Sequence, residues 1–260
     1  MAAPNNTALG FDGPIQSGLA PDIVFARPPK PLAPPLKQIW PRTSILRARS
    51  EVDRTLDYLS KLKLQPHDVR PRNWDSLIAL EAIVNSFGTD ARILDAGLET
   101  YSVMLPWLIQ FGFRNLYGIN TIFQDTFVRR TIVYLHGNVE KMPFQAGHFD
   151  AVTCLSVLQQ RVNIKRYLSE SWRILKRGGL LISSVGYWDS GVDAGDRTQY
   201  GVPLRIFSRE GILELVRLAT EVGFEVIGDC ALDCEEGIMH WRPGGLEYTF
   251  VILTMRKLPT

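Results

Sequence analysis

From residue 91 to residue 257, short apolar runs alternate with longer segments of helical periodicity, and this alternation limits the chain to few folds. The runs "ARILDAG", "NLYGIN", "TIVYLHGN", "HFDAVTCLSV", "LLISSVGY", "EVIGDC" and "EYTFVILTMRK" read as seven strands, with a short irregular segment between the second and third. Between them, helices are expected within "YSVMLPWLIQFG", over "NIKRYLSESWRILKRGG" closed by Gly178 and Gly179, and over "SREGILELVRLATEVGF" with Ser208 as its N-cap. Strands that alternate with helices form right-handed βαβ units, so the expected fold is α/β, a doubly wound, mainly parallel sheet. In such a sheet ligands bind beyond the carboxyl ends of the strands.

Two helices are expected upstream. One starts near Ser50, which forms a capping-box-like pair with Asp53 and lines up Val52, Leu56, Leu59 and Leu62 on one face. The other, "NWDSLIALEAIVNSFG", reads as amphipathic, started by Asn73 and stopped by Gly88. Nine of the 16 prolines fall in the first 41 residues. Proline lacks the amide donor, so this stretch is expected to be an extended arm. Phe25, Ile39 and Trp40 are costly to leave in water, so part of the arm should pack on the body or on a partner. The expected organisation is an arm over 1–45, a helical extension over 46–88 and an α/β domain over 89–260.

A formal net charge of +2 gives no reason to expect a nucleic-acid partner. No apolar run is long enough for a membrane span, and the first residues lack a secretory pattern. Asn5-Asn6-Thr7 matches a glycosylation pattern that has meaning only with secretion. Three cysteines fit a reduced, cytoplasmic protein. The spacing of Cys230, Cys234 and His240 matches no zinc pattern, and no metal is expected.

Four pieces, in order, resemble the class I S-adenosylmethionine-dependent methyltransferases: "ILDAG", "LYGIN", "GNVEKMPFQAGHFDAVTCLSVLQQ" and "ESWRILKRGGLLISS". The resemblance covers about 75–257 and implies a Rossmann-like seven-stranded sheet, S-adenosylmethionine as cofactor and a small-molecule substrate. The Asp-Ala-Gly form of the first motif resembles, more loosely, a subgroup tied to polysaccharide assembly, which implies a saccharide hydroxyl as acceptor.

By the same resemblance, Asp95, Ala96 and Gly97 shape the first turn, Asn120 stands where an acid grips the ribose, and Asn138 and Val139 meet adenine. Leu155 and Ser156 line the ligand from the fourth strand. Where the family often has histidine, this chain has Gln160, so His240 and Asp189 are the candidate bases.

The first motif departs from the family pattern. In an ungapped match Glu99 and Tyr101 replace two glycines, and Glu99 would face the cofactor's carboxylate. Two like charges ~4 Å apart cost roughly 4 kcal/mol at an effective dielectric of ~20. In a match shortened by about two residues, Tyr101-Ser102 instead begins the helix, whose N–H groups would face that carboxylate. Three readings therefore stand: a methyltransferase; a non-catalytic scaffold or assembly partner on the same fold, oligomeric or joined to another protein through its arm; and a binder of another nucleotide.

Overall fold

The computed structural model describes residues 32, 35–192, 195, 197–199, 202–241 and 245–259. The strands are β1 (Ser44–Ile45), β2 (Arg92–Ala96), β3 (Asn115–Asn120), β4 (Phe127–Arg129), β5 (Ile132–His136), β6 (Phe149–Leu155), β7 (Leu175–Tyr187), β8 (Thr198–Gln199), β9 (Val202–Pro203), β10 (Phe224–Val226), β11 (Met239–Trp241) and β12 (Leu246–Lys257). The helices are α1 (Arg49–Leu62), α2 (Arg72–Val84), α3 (Met104–Gln110), α4 (Ile164–Ile174) and α5 (Arg209–Val222).

One sheet runs in the order β1-β12-β7-β6-β2-β3-β5-β4, with β10 and β11 also on β12. From β5 through β3, β2 and β6 to β7 the pairing is parallel, and β12 lies antiparallel to β7. All seven expected strands are present. The segment read as irregular contains β4, which folds back antiparallel on β5. The outer edge of β12 carries three short strands, β11, β1 and β10.

The central strands are apolar on successive residues because both faces of the sheet are covered. Ile93, Ile182 and Ile252 enter one core with Trp74 and Trp107. Their neighbours Leu94, Leu181 and Leu253 enter the other with Tyr167 and Phe207. Adjacent residues of a strand point to opposite faces, and each here meets a helix layer.

Several local expectations need correction. Ser50 and Asp53 form no capping box: α1 is capped at Ala48 without a side-chain bond, and Asp53 pairs instead with Arg70. The Glu51 carboxylate accepts from the Arg47 N–H at 2.7 Å. Helix α2 is not amphipathic, because every residue from Asn73 to Val84 is buried. Sheet, neighbouring helices and the docked residues 35–41 enclose it. Asn73 does not cap it; its amide bonds the backbone of His67 and Arg70. Asn85, not Gly88, ends it and clamps Leu36 through both backbone groups. Helix α4 ends at Ile174, before the glycine pair, and β7 begins at once. Ser208 caps α5 as expected, accepting from the Gly211 N–H at 3.1 Å.

The expected arm, Asn5-Asn6-Thr7 and Phe25 lie outside the described residues up to residue 31. Beyond them Leu36 and Trp40 are buried against the body, and Ile39 packs beside them.

Candidate functional site

The carboxyl ends of β2, β3, β5 and β6 enclose two adjoining hollows that meet at Gly97. The larger is a cleft of about 250 Å³ lined by Gly97, Glu99, Asn120, Asn138, Val139 and Gln160, among others. The smaller is a polar cavity of about 30 Å³, lined by His67, Arg72, Asp75, Asp95, Leu155 and Ser156 among others.

Gly97 joins them because only a glycine fits there. Its φ is +89°, and a Cβ would lie 2.4 Å from Val157 Cγ2. Its N–H donates to the Ile119 carbonyl at 2.8 Å. The following Leu98 drops its side chain onto Gly118, where a Cβ would come within 1.9 Å of Leu98 Cδ2. That packing turns the chain back, and Glu99 and Ser102 close the loop with reciprocal bonds of 3.0 Å.

Helix α3 starts at Met104, so Tyr101-Ser102 precedes it. Tyr101 is 46% exposed and meets His67 edge-on, leaving the cleft open. Glu99 lines the large cleft rather than the small cavity. Burial raises its pKa, and the Arg72 charge opposes that rise.

Asn120 acts differently from the acid it replaces. Its amide nitrogen donates to the carbonyls of Gly97 (3.2 Å) and Leu98 (3.0 Å), and its oxygen accepts from the Ile122 N–H. A carboxylate has no hydrogen to give those carbonyls. Asn120→Asp is therefore expected to destabilise the loop by about 2 kcal/mol, measured by urea unfolding, rather than to restore a family-like site. Asn138 is exposed, and its oxygen accepts from the Glu140 N–H at 2.8 Å in the turn that holds Val139 under the cleft.

In the small cavity, Asp95 is buried and accepts from the Thr153 hydroxyl at 2.9 Å. Burial pushes its pKa up to about 7, against the Thr153 bond and with help from the nearby Asp75 charge. Asp75 comes from the first turn of α2, and burial raises it to about 6. The Ser184 hydroxyl, 2.5 Å away, and the Arg72 charge oppose that rise. Ser156 sits at φ +59°, its N–H donating to Ser184 and its buried Oγ without a partner in the protein. Ala96 is buried in the core below.

The two candidate bases are not brought to either hollow. His240 Nδ1 faces Glu247 at 2.8 Å, and its Nε2 meets Arg49. Asp189 accepts from the Tyr187 hydroxyl at 2.9 Å and from Arg209 at 2.6 Å. Those bonds lower its pKa and weaken it as a base. Sequence reasoning missed Asp75, Arg72 and His67. They lie about twenty residues or more before the first motif, and the polar start of α2 read only as a helix cap. No group of three metal-ligating side chains occurs among the described residues.

Residues 95–183 match the family model described as "Methyltransferase domain". A curated relative, the ubiquinone/menaquinone biosynthesis C-methyltransferase UbiE of Rhizobium johnstonii, is 41% identical over 51 residues, 20% of each chain. The chain thus matches about a fifth of that relative's length. Among solved structures, the methyltransferase bound to the Trm112 activator of Haloferax volcanii superposes with a TM-score of 0.52 at 14% identity, over 82% of this chain and 96% of that one. The geranyl diphosphate C-methyltransferase of Streptomyces coelicolor gives 0.50 at 16% identity, over 80% and 84%. The likeness to these two structures is one of fold, and the match over residues 95–183 is to a methyltransferase domain.

Proposed function

We propose that the protein transfers a methyl group from S-adenosylmethionine to a small-molecule acceptor. The observation that carries this reading is the pair of adjoining hollows that share Gly97, a cleft of about 250 Å³ on one side and a charged cavity on the other. The cleft, at about 250 Å³, lies just below the ~300–1,000 Å³ usual for ligand pockets. Asn120, Asn138 and Val139 would hold the adenosine part, and Asp95, Leu155 and Ser156 the sulfur end. Gly97 and the unpartnered Ser156 hydroxyl fit such a ligand, one by leaving room and the other by offering a hydrogen bond. When bound, the cofactor supplies an activated methyl group. The protein's part is to align it with the acceptor, since in-line displacement depends mainly on alignment.

His240 and Asp189 stand away from the cleft in this arrangement, so the carboxylates proposed to meet the ligand are Asp75 and Asp95. A saccharide hydroxyl is the acceptor suggested by the Asp-Ala-Gly motif. The partial match to a quinone C-methyltransferase suggests an aromatic carbon instead. Formation of S-adenosylhomocysteine with sugar and with hydroxylated-ring acceptors separates the two.

A specific observation favours a second, non-catalytic reading. The cavity of about 30 Å³ has room for only one or two waters, so the methionine part enters only if the 99–102 loop moves. Isothermal titration decides between them. Micromolar binding of S-adenosylmethionine, tighter than that of adenosine, is expected. Equal affinities would favour a nucleoside-binding scaffold, and no binding at millimolar ligand would overturn both.

A further inference from the structure

We infer that Glu99, in the loop after β2, takes the two ribose hydroxyls of the ligand, because Asn120 at the end of β3 has no bonds left to give them. This rests on the methyltransferase reading above and adds to it which side chain of the cleft selects a ribose.

Most acceptors in the cleft wall are already used. Asn120 gives both amide hydrogens to the carbonyls of Gly97 and Leu98. Its oxygen accepts from the Ile122 N–H at 3.2 Å and from the Thr121 hydroxyl at 3.5 Å. An amide offers two hydrogens and two lone pairs, so all four positions are filled. Asn120 therefore serves the ligand through the loop it ties down, not through a bond of its own. Asn138 commits its oxygen to the Glu140 N–H. Glu140 in turn accepts from the Asn163 N–H at 2.9 Å and lies 3.9 Å from Arg166.

Glu99 differs from all of these. It lines the same cleft, and its carboxylate has no hydrogen bond or ion pair among the described residues. Only burial and the Arg72 charge act on its pKa. Gln160, also unpaired among the described residues, is neutral and offers a single oxygen. A half-buried carboxylate without a donor costs free energy, which a ligand bearing two donors would offset. Neighbouring hydroxyls meet that need, since each can donate to one carboxylate oxygen. Hydrogen bonds to a charged acceptor are about twice as strong as neutral ones.

The loop holds Glu99 by its backbone alone. Its N–H donates to Ser102 Oγ, and its carbonyl accepts from the Ser102 N–H. Glu99→Gln therefore keeps the loop closed and the side chain's shape, and removes only the charge.

Calorimetric titration of the full chain with S-adenosylhomocysteine and with its 2′-deoxy and 3′-deoxy forms tests the inference. The unmodified protein is expected to bind the full ribose at least about tenfold more tightly than either deoxy form. Glu99→Gln should weaken S-adenosylhomocysteine about tenfold, weaken the deoxy forms less, and shrink the preference to about threefold or below. An unmodified protein indifferent to the missing hydroxyls would overturn the inference. Equal weakening of all three ligands would do the same, by making Glu99 structural or setting it against another part of the ligand. Tighter binding of S-adenosylhomocysteine by the variant would overturn it too, by showing that Glu99 repels the ligand's carboxylate. These three results leave the methyltransferase reading standing. Failure of both S-adenosylmethionine and S-adenosylhomocysteine to bind the unmodified protein would overturn that reading and the role of Glu99 with it.

Discussion

Gly97→Ala is expected to lower stability by about 3 kcal/mol and to weaken cofactor binding by about a hundredfold or more. Two costs add at this position. The backbone is in the left-handed region, at φ +89°, which costs an L-residue roughly 1–2 kcal/mol. The new methyl group would also lie 2.4 Å and 2.9 Å from the two γ-carbons of Val157. Valine is β-branched and stiff, so it cannot swing aside as a long side chain would. The turn cannot move away either without breaking the Gly97 N–H bond to Ile119. Any shift it does make carries Leu98 off Gly118. Urea unfolding measures the first effect and calorimetry the second. Gly147→Ala is the control: its φ is also positive, at +65°, but no atom lies within 4 Å of the added carbon. It should cost only about 1 kcal/mol and leave ligand binding unchanged.

Stability is expected to fall as pH rises from about 4.5 to about 8, and Glu81 accounts for a large part of the loss. Glu81 lies on α2, 2% exposed, with one oxygen accepting from the Ile39 N–H and the other without a partner. Burial pushes its pKa up to about 8, far above the usual carboxylate range, and the Ile39 bond offsets little of that. The folded chain therefore keeps a proton that the unfolded chain releases near pH 4.5. Folding takes up this proton between about pH 4.5 and 8, so stability declines as pH rises across that window and levels off above it. At about 1.4 kcal/mol per pKa unit, the contribution is on the order of 3–5 kcal/mol. Glu81→Gln should flatten this part of the profile, because an amide mimics the protonated acid at every pH. Unfolding in urea from pH 5 to pH 9 checks it, and unchanged slopes in the two proteins would refute it. Asp75 and Asp95, held up to about 6 and about 7, act in the same direction over the lower part of the range.

The docked segment before α1 follows from the same contact. Leu36 and Trp40 are buried, and Asn85 and Glu81 accept from the backbone N–H groups of Leu36 and Ile39. The cost of leaving Trp40 in water was legible in the sequence as a reason to pack. Which surface receives it was not, because α2 reads as an amphipathic helix with an exposed face. That face is covered by a segment some forty residues earlier, and helical periodicity carries no information about such a partner.

The parallel core, its strand boundaries and the helices between them could be read directly from the chain. Burial on both faces forces continuous apolar runs such as Ile93–Leu94 and Leu181–Ile182, and a run of that kind between helical segments has few alternatives. Ser208 at the start of α5 was legible for a similar reason, since capping is a local event. Gly97 as the turn after β2 was also legible. The site itself was decided by contacts between distant residues. Asn120 looks like a weakened ribose acid in sequence, yet its amide ties down the first-motif loop. Where Glu99 points stayed open in the sequence, and the packing of Leu98 on Gly118 sets it in the wall of the larger cleft. Asp75 carries no motif at all. It enters the cavity because α2 crosses the ends of β6 and β7, where Ser184 holds it. Local spacing determines strands, caps and turns, because these depend on neighbours in the chain. The charge and shape of the cavity depend on which distant side chains the folded sheet brings within a few ångströms, and only the tertiary structure decides that.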